Sequence, residues 1–64
     1  LEFANDAQKT LTGTVVTTSD VTVLASVTGA TNDGVYVGAL ATLTVGGNLV
    51  NDGAITNDGA ITVN

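Results

Sequence analysis

Three Asn-Asp-Gly triplets, at residues 32–34, 51–53 and 57–59, carry the residue types and spacing that could do chemistry in this chain. Asp33, Asp52 and Asp58, with neighbouring Asn side chains and main-chain carbonyls, offer the oxygen donors that calcium takes in sets of about six to eight. Their spacing is neither that of an EF-hand loop nor that of the glycine-rich nonapeptide of calcium-binding β-rolls. Asn and Asp also bond their own backbone two residues on, and Gly accepts the positive φ of tight turns, so the triplets read as turns. Asp52 and Asp58 could form the carboxylate pair of a glycosidase, which needs two carboxyls about 5–9.5 Å apart, one held protonated in an apolar pocket. A six-residue offset puts them on successive, solvated corners instead. Ser19 and Ser26 have no histidine to activate them, and there is no cysteine nucleophile. Gly38, Gly46 and Gly47 lead into no helix and have no lysine nearby, so they do not read as a phosphate cradle. The sequence therefore nominates no catalytic, cofactor-binding or metal-binding residue, and a non-enzymatic role is expected.

The elements that would hold such groups are constrained by composition. With 64 residues the chain allows one domain at most, and it has neither cysteines for disulfides nor histidines for zinc. A lone core of this size is marginal, so help is expected from a partner chain or from flanking sequence. The net charge is -5 and Lys9 is the one basic side chain. That balance excludes the counterion-release binding of nucleic acids, which needs several Lys or Arg. No apolar run approaches the ~20 residues of a spanning helix, and no signal-peptide pattern opens the chain. It begins with Leu rather than Met, as expected of a processed product, an expressed piece or a fragment. Richness in Thr, Val, Gly and Asn with almost no Lys suggests a secreted or surface protein.

Residues 1–10 show no periodicity and are expected to be irregular, with Asp6 able to cap one turn through Ala7-Gln8-Lys9. Residues 11–34 are dense in β-branched side chains, which favour strands, and end in a polar loop. Val21-Thr22-Val23 alternates as a half-buried strand does, while Thr18-Ser19-Asp20 and the stretch 29–34 read as turns. From 35 to 64 a six-residue rhythm takes over: Val37, Leu43, Leu49, Ile55 and Ile61 recur without a break. Val15, Val21 and Val27 form an earlier series in another register. NDGAITNDGAIT, residues 51–62, is the sharpest stretch of the rhythm. Six residues suit a short strand with one aliphatic inward, followed by a corner at Gly34, Gly53 or Gly59. Strands this short hold few ladder bonds in a hairpin, whereas parallel coils pair each with strands above and below. The doublet thus reads as consecutive sides of one coil of an all-β parallel β-solenoid. If each coil had three sides of six residues, Val37 would stack on Ile55 and Leu43 on Ile61.

Residues 47–64, GNLVNDGAITNDGAITVN, resemble the repeat text of bacterial surface β-helices, namely autotransporter passengers and filamentous-haemagglutinin-like adhesins. The strict period also resembles left-handed hexapeptide-repeat helices, although the small residue two places before the aliphatic occurs only as Ala41 and glycines. Acyltransferases of that second group use a catalytic histidine, which this chain lacks. The resemblance implies a stalk, adhesin or fibre element whose partners are flanking repeats or further copies of itself. The alternative is a small self-assembling subunit of a filament, pilus or viral particle whose sheet a neighbour completes.

A different fold is also open to this text. Gly46-Gly47 within TLTVGGNLVN is a recognised hairpin joint and, with Val35-Tyr36-Val37 and the 11–28 region, would build a small antiparallel β-sandwich or barrel. Thr12-Gly13-Thr14 and Thr42-Leu43-Thr44 are similar to the threonine pairs of ice-binding solenoids, but they do not recur in register and read as ordinary outward threonines. Tyr36, expected to face away from Val35 and Val37, could anchor a partner or simply lie at the surface.

Overall fold

The computed structural model describes residues 1–30 and 33–64; Asn32, in the first Asn-Asp-Gly triplet, lies outside the described residues. Nine short strands are described: β1 (Glu2–Phe3), β2 (Lys9–Leu11), β3 (Thr14–Thr17), β4 (Val21–Val23), β5 (Val35–Val37), β6 (Thr42–Val45), β7 (Leu49–Asn51), β8 (Ile55–Asn57) and β9 (Ala60–Val63). They form three sheets of order β1-β4-β7, β2-β5-β8 and β3-β6-β9, and every described pairing is parallel. The chain therefore winds three times around a three-sided β-solenoid. Residues 1–10, aperiodic as text, contribute β1 and the start of β2.

The antiparallel sandwich or barrel is overturned. Gly46-Gly47 joins β6 to β7, which lie in different sheets, so this joint is a corner and not a hairpin. The coil beneath presses against it: a Cβ on Gly46 would lie 2.7 Å from the Thr17 carbonyl oxygen, and one on Gly47 2.9 Å from the Asp20 amide nitrogen.

Alternation fills the interior. Val21 and Val23 on β4, Val35 and Val37 on β5, and Leu43 and Val45 on β6 are buried, joined at the corners by Val27 and Ala41. No polar side chain is buried among the described residues. The first and third coils are half-covered, with Phe3, Leu11, Val15, Leu49, Ile55 and Ile61 packed against the middle.

The register is partly as expected. Leu43 stacks on Ile61, but Ile55 lies beside Val35, and Val37 lies beside Asn57. Four residues, Gly38–Ala41, separate β5 from β6, whereas two, Asp58 and Gly59, separate β8 from β9. The two extra residues shift the ladder by two. An even shift preserves the in–out alternation, so Val35 and Val37 both stay inside.

The middle coil stores its extra length in β-turns. The Val27 amide donates to the Leu24 carbonyl at 3.0 Å, and the Ala41 amide donates to the Gly38 carbonyl at 2.9 Å. Each turn loops outward, leaving Leu40 97% exposed.

Candidate functional site

The Asn-Asp-Gly triplets of the third coil are corners, and their geometry explains each residue. Asn51 Oδ1 accepts from the Gly53 amide at 3.1 Å, and Asn57 Oδ1 accepts from the Gly59 amide at 3.0 Å. These side-chain bonds fix the bends locally. The aspartate amides face the coil below, donating to the carbonyls of Val23 (from Asp52, 2.8 Å) and Val37 (from Asp58, 2.9 Å). The glycines are needed for a reason the sequence did not suggest. Among the described residues, positive φ belongs to Gly13, Gly34 and Asn5, and not to Gly53 or Gly59. Gly53 crosses over the neck of the Leu24–Val27 turn, where a Cβ would lie 2.5 Å from the Val27 carbonyl oxygen and closer to that of Leu24. Gly59 crosses the Gly38–Ala41 turn in the same way, against the carbonyls of Gly38 and Ala41. Both glycines allow close approach of backbone to backbone.

The acidic groups do not converge. Asp33 and Asp52 lie on the corner between the first and second sheets and Asp58 on the next corner. Asp33 accepts from the Gln8 side chain at 3.4 Å, and Asp58 Oδ2 accepts from the Tyr36 hydroxyl at 2.7 Å. Among the described residues no group of three or more His, Cys, Asp or Glu is placed to hold a metal ion, and no pocket is present. The Tyr36 phenol is held above its ordinary pKa, chiefly because it donates to Asp58 and then through partial desolvation and the Asp58 and Asp33 charges. Ser19 lies in the corner before β4, where its carbonyl accepts from the Gly47 amide; the Ser26 hydroxyl accepts from the Asn5 amide at 3.0 Å. Thr42 pairs with Thr14 and Ala60, while Thr44 pairs with Val16 and Thr62, so a Thr-x-Thr pair occupies this face in one coil alone.

What remains distinctive is the pair of end faces. Three coils make a disc whose Cα extents are 29 × 22 × 11 Å, the shortest matching three strand layers at about 4.8 Å spacing. Its broad faces expose the outer edges of β1-β2-β3 and of β7-β8-β9. The two faces differ in four interior columns, Phe3–Val23–Asn51, Lys9–Val35–Ile55, Leu11–Val37–Asn57 and Thr17–Val45–Val63. On the first coil the Lys9 ammonium donates to the carbonyls of Asn5, at 2.7 Å, and Ala7, both within its own corner. On the third coil the corresponding place holds Ile55, half-buried as Leu49 and Ile61 are, and the inward-facing Val63 is 49% exposed.

Comparison with protein-family models, with curated proteins and with solved structures finds no match for this chain.

Proposed function

We propose that this chain is a structural segment of a secreted or cell-surface β-solenoid, acting as part of a stalk, adhesin or fibre without catalysis. The observation that carries this reading is the parallel three-coil stack with unpaired strand edges on both broad faces. Stacked-repeat proteins gain stability from each neighbour interface, and such edges are the place where a further coil adds. The outward columns Thr10–Tyr36–Thr56 and Thr14–Thr42–Ala60 give a largely polar lateral surface suited to display. The resemblance of residues 47–64 to the repeat text of surface β-helices points the same way. Appending a second set of residues 19–64 after Asn64, so that Asn64, Ser19 and Asp20 form a three-residue corner like 46–48, tests the reading. The thermal midpoint should rise by more than 10 °C, since several kcal/mol of new interface act on a small domain. An unchanged midpoint would refute it.

A second reading, a self-assembling subunit, is favoured by the half-exposed Leu49, Ile55 and Ile61 on a single broad face. Sedimentation velocity separates the two: defined oligomers at rising concentration favour the subunit, and a monomer at every concentration favours the stalk segment.

A further inference from the structure

We infer that the Asp-Gly bonds at 52–53 and 58–59 are latent isoaspartate sites, and that the asparagine opening each corner guards them by holding the glycine nitrogen out of reaction, most tightly at Asp58.

The chemistry needs water alone. The glycine nitrogen attacks Cγ of the preceding aspartate: an N–Cγ bond forms, a C–O bond of the protonated carboxyl breaks, and the amide proton leaves with that hydroxyl as water. Water then adds back to the cyclic imide. Attack at Cγ restores aspartate, whereas attack at the main-chain carbon leaves isoaspartate, with the chain routed through Cβ and Cγ. Glycine favours the step because no side chain shields its nitrogen and its backbone turns freely. These corners cannot avoid it by using another residue. A Cβ on Gly53 would lie 2.5 Å from the Val27 carbonyl oxygen, and one on Gly59 would meet the carbonyls of Gly38 and Ala41. Both aspartates are exposed, so water reaches them.

The fold ties down the attacking atom. The imide has no N–H, so ring closure abolishes the bond from the Gly53 amide to Asn51 Oδ1 at 3.1 Å, or from the Gly59 amide to Asn57 Oδ1 at 3.0 Å. On the other side of each aspartate, its own amide donates to the coil beneath, to the Val23 carbonyl at 2.8 Å and the Val37 carbonyl at 2.9 Å. Those bonds resist the backbone rotation that ring closure demands. Asp58 has a further tether: its Oδ2 accepts from the Tyr36 hydroxyl at 2.7 Å, so turning the carboxyl towards Gly59 breaks another bond. The product also fits badly. Two residues, Asp58 and Gly59, separate β8 from β9, and isoaspartate adds a methylene to that backbone where it passes over the Gly38–Ala41 turn.

The two sites share the text Asn-Asp-Gly-Ala-Ile-Thr, so their intrinsic reactivity is the same and any difference arises from the fold. The full chain is aged at neutral pH in buffer and in denaturing urea. Isoaspartate at each site is then counted by mass spectrometry after digestion with a protease that cleaves before aspartate but not before isoaspartate. The readout is the rate in buffer divided by the rate in urea. In urea the two sites should age alike. In buffer both should slow by about tenfold or more, and Asp58 by about threefold more than Asp52. Asn57→Ala should raise the ratio at Asp58 by about five- to tenfold, the rate equivalent of one hydrogen bond, and leave Asp52 unchanged. Asn51→Ala should do the reverse. Asn57→Asp, which keeps the acceptor, should stay near the unaltered ratio, and Tyr36→Phe should bring Asp58 to the level of Asp52. An equal rise at both sites in Asn57→Ala would overturn the inference, since global unfolding exposes both alike. Should that variant not fold, the unaltered chain decides: equal ratios at Asp52 and Asp58 would mean that folding as a whole, and not the corner, protects them.

Discussion

The middle and third coils are built from opposite kinds of text. The third carries the perfect NDGAIT doublet, yet Leu49, Ile55 and Ile61 are only half-buried. The middle coil has irregular spacing and a long corner, yet it supplies every residue of the buried core except Ala41 and Val27 from its strands, and those two from its turns. Regular text therefore records the tightness of the corners. Burial records position in the stack, because only the middle coil has a neighbour on each side.

The largest effect that would break this comparison is expected at the close-approach glycines. Gly53→Val should cost about 3 kcal/mol or more, because the new side chain meets two backbone carbonyls that cannot yield. Gly13→Ala should cost about 1–2 kcal/mol, the strain of a positive φ alone, since nothing lies within 4 Å of its Cβ. Urea denaturation measures both. Equal losses at the two sites would remove the distinction between close approach and backbone angle.

The next effect lies within one column. Leu43 is 2% exposed and stacks on half-buried Ile61. Leu43→Ala should destabilise by about 3 kcal/mol, the usual cost for a buried leucine, and Ile61→Ala by about half of that. A loss at Ile61 equal to that at Leu43 would mean that the third-coil face is covered in solution. Dilution of the sample then sharpens the comparison, since a dimer-dependent loss falls with concentration.

Asn57→Ala removes the side-chain bond to the Gly59 amide and should cost about 1 kcal/mol. Asn57→Asp keeps the acceptor and should cost less. Stability measured by chemical denaturation for the two variants checks whether the Asn of each triplet acts through its oxygen.

The smallest effect is electrostatic. Tyr36 keeps its proton more tightly when folded, because it donates to Asp58. Its contribution is fully present below the ordinary tyrosine pKa of about 10 and is lost as pH rises through the higher folded value. As the one tyrosine in the chain, it can be followed directly by ultraviolet absorbance. Asp58→Asn should move its titration midpoint down towards that of free tyrosine, and no movement would mean that the bond is not formed in solution.

Much of the fold was legible from side-chain periodicity. Val21-Thr22-Val23 and Val35-Tyr36-Val37 alternate in the text and in the interior, and Leu43 and Ile61 stack at the spacing of eighteen that three six-residue sides require. Lys9 on an inner column was not legible, because residues 1–10 have no repeat from which its register could be read. The end faces depend on that register, so the most informative surface of the molecule had no signal in the sequence.

The sequence by itself determined that the chain is all-β, that strands three or four residues long alternate with tight corners, and which side chains of the third coil face inward. Those properties are local: they follow from branching at Cβ, from alternation, and from Asn and Gly at bends. Only the tertiary structure decided that Ile55 sits on Val35, that Gly53 and Gly59 pass over two β-turns, and that Lys9 shares an inner column with Val35 while its ammonium bonds within its own corner. A parallel ladder sets its register between residues some twenty positions apart, and the intervening corners take up two residues or eleven without changing which side chains face inward.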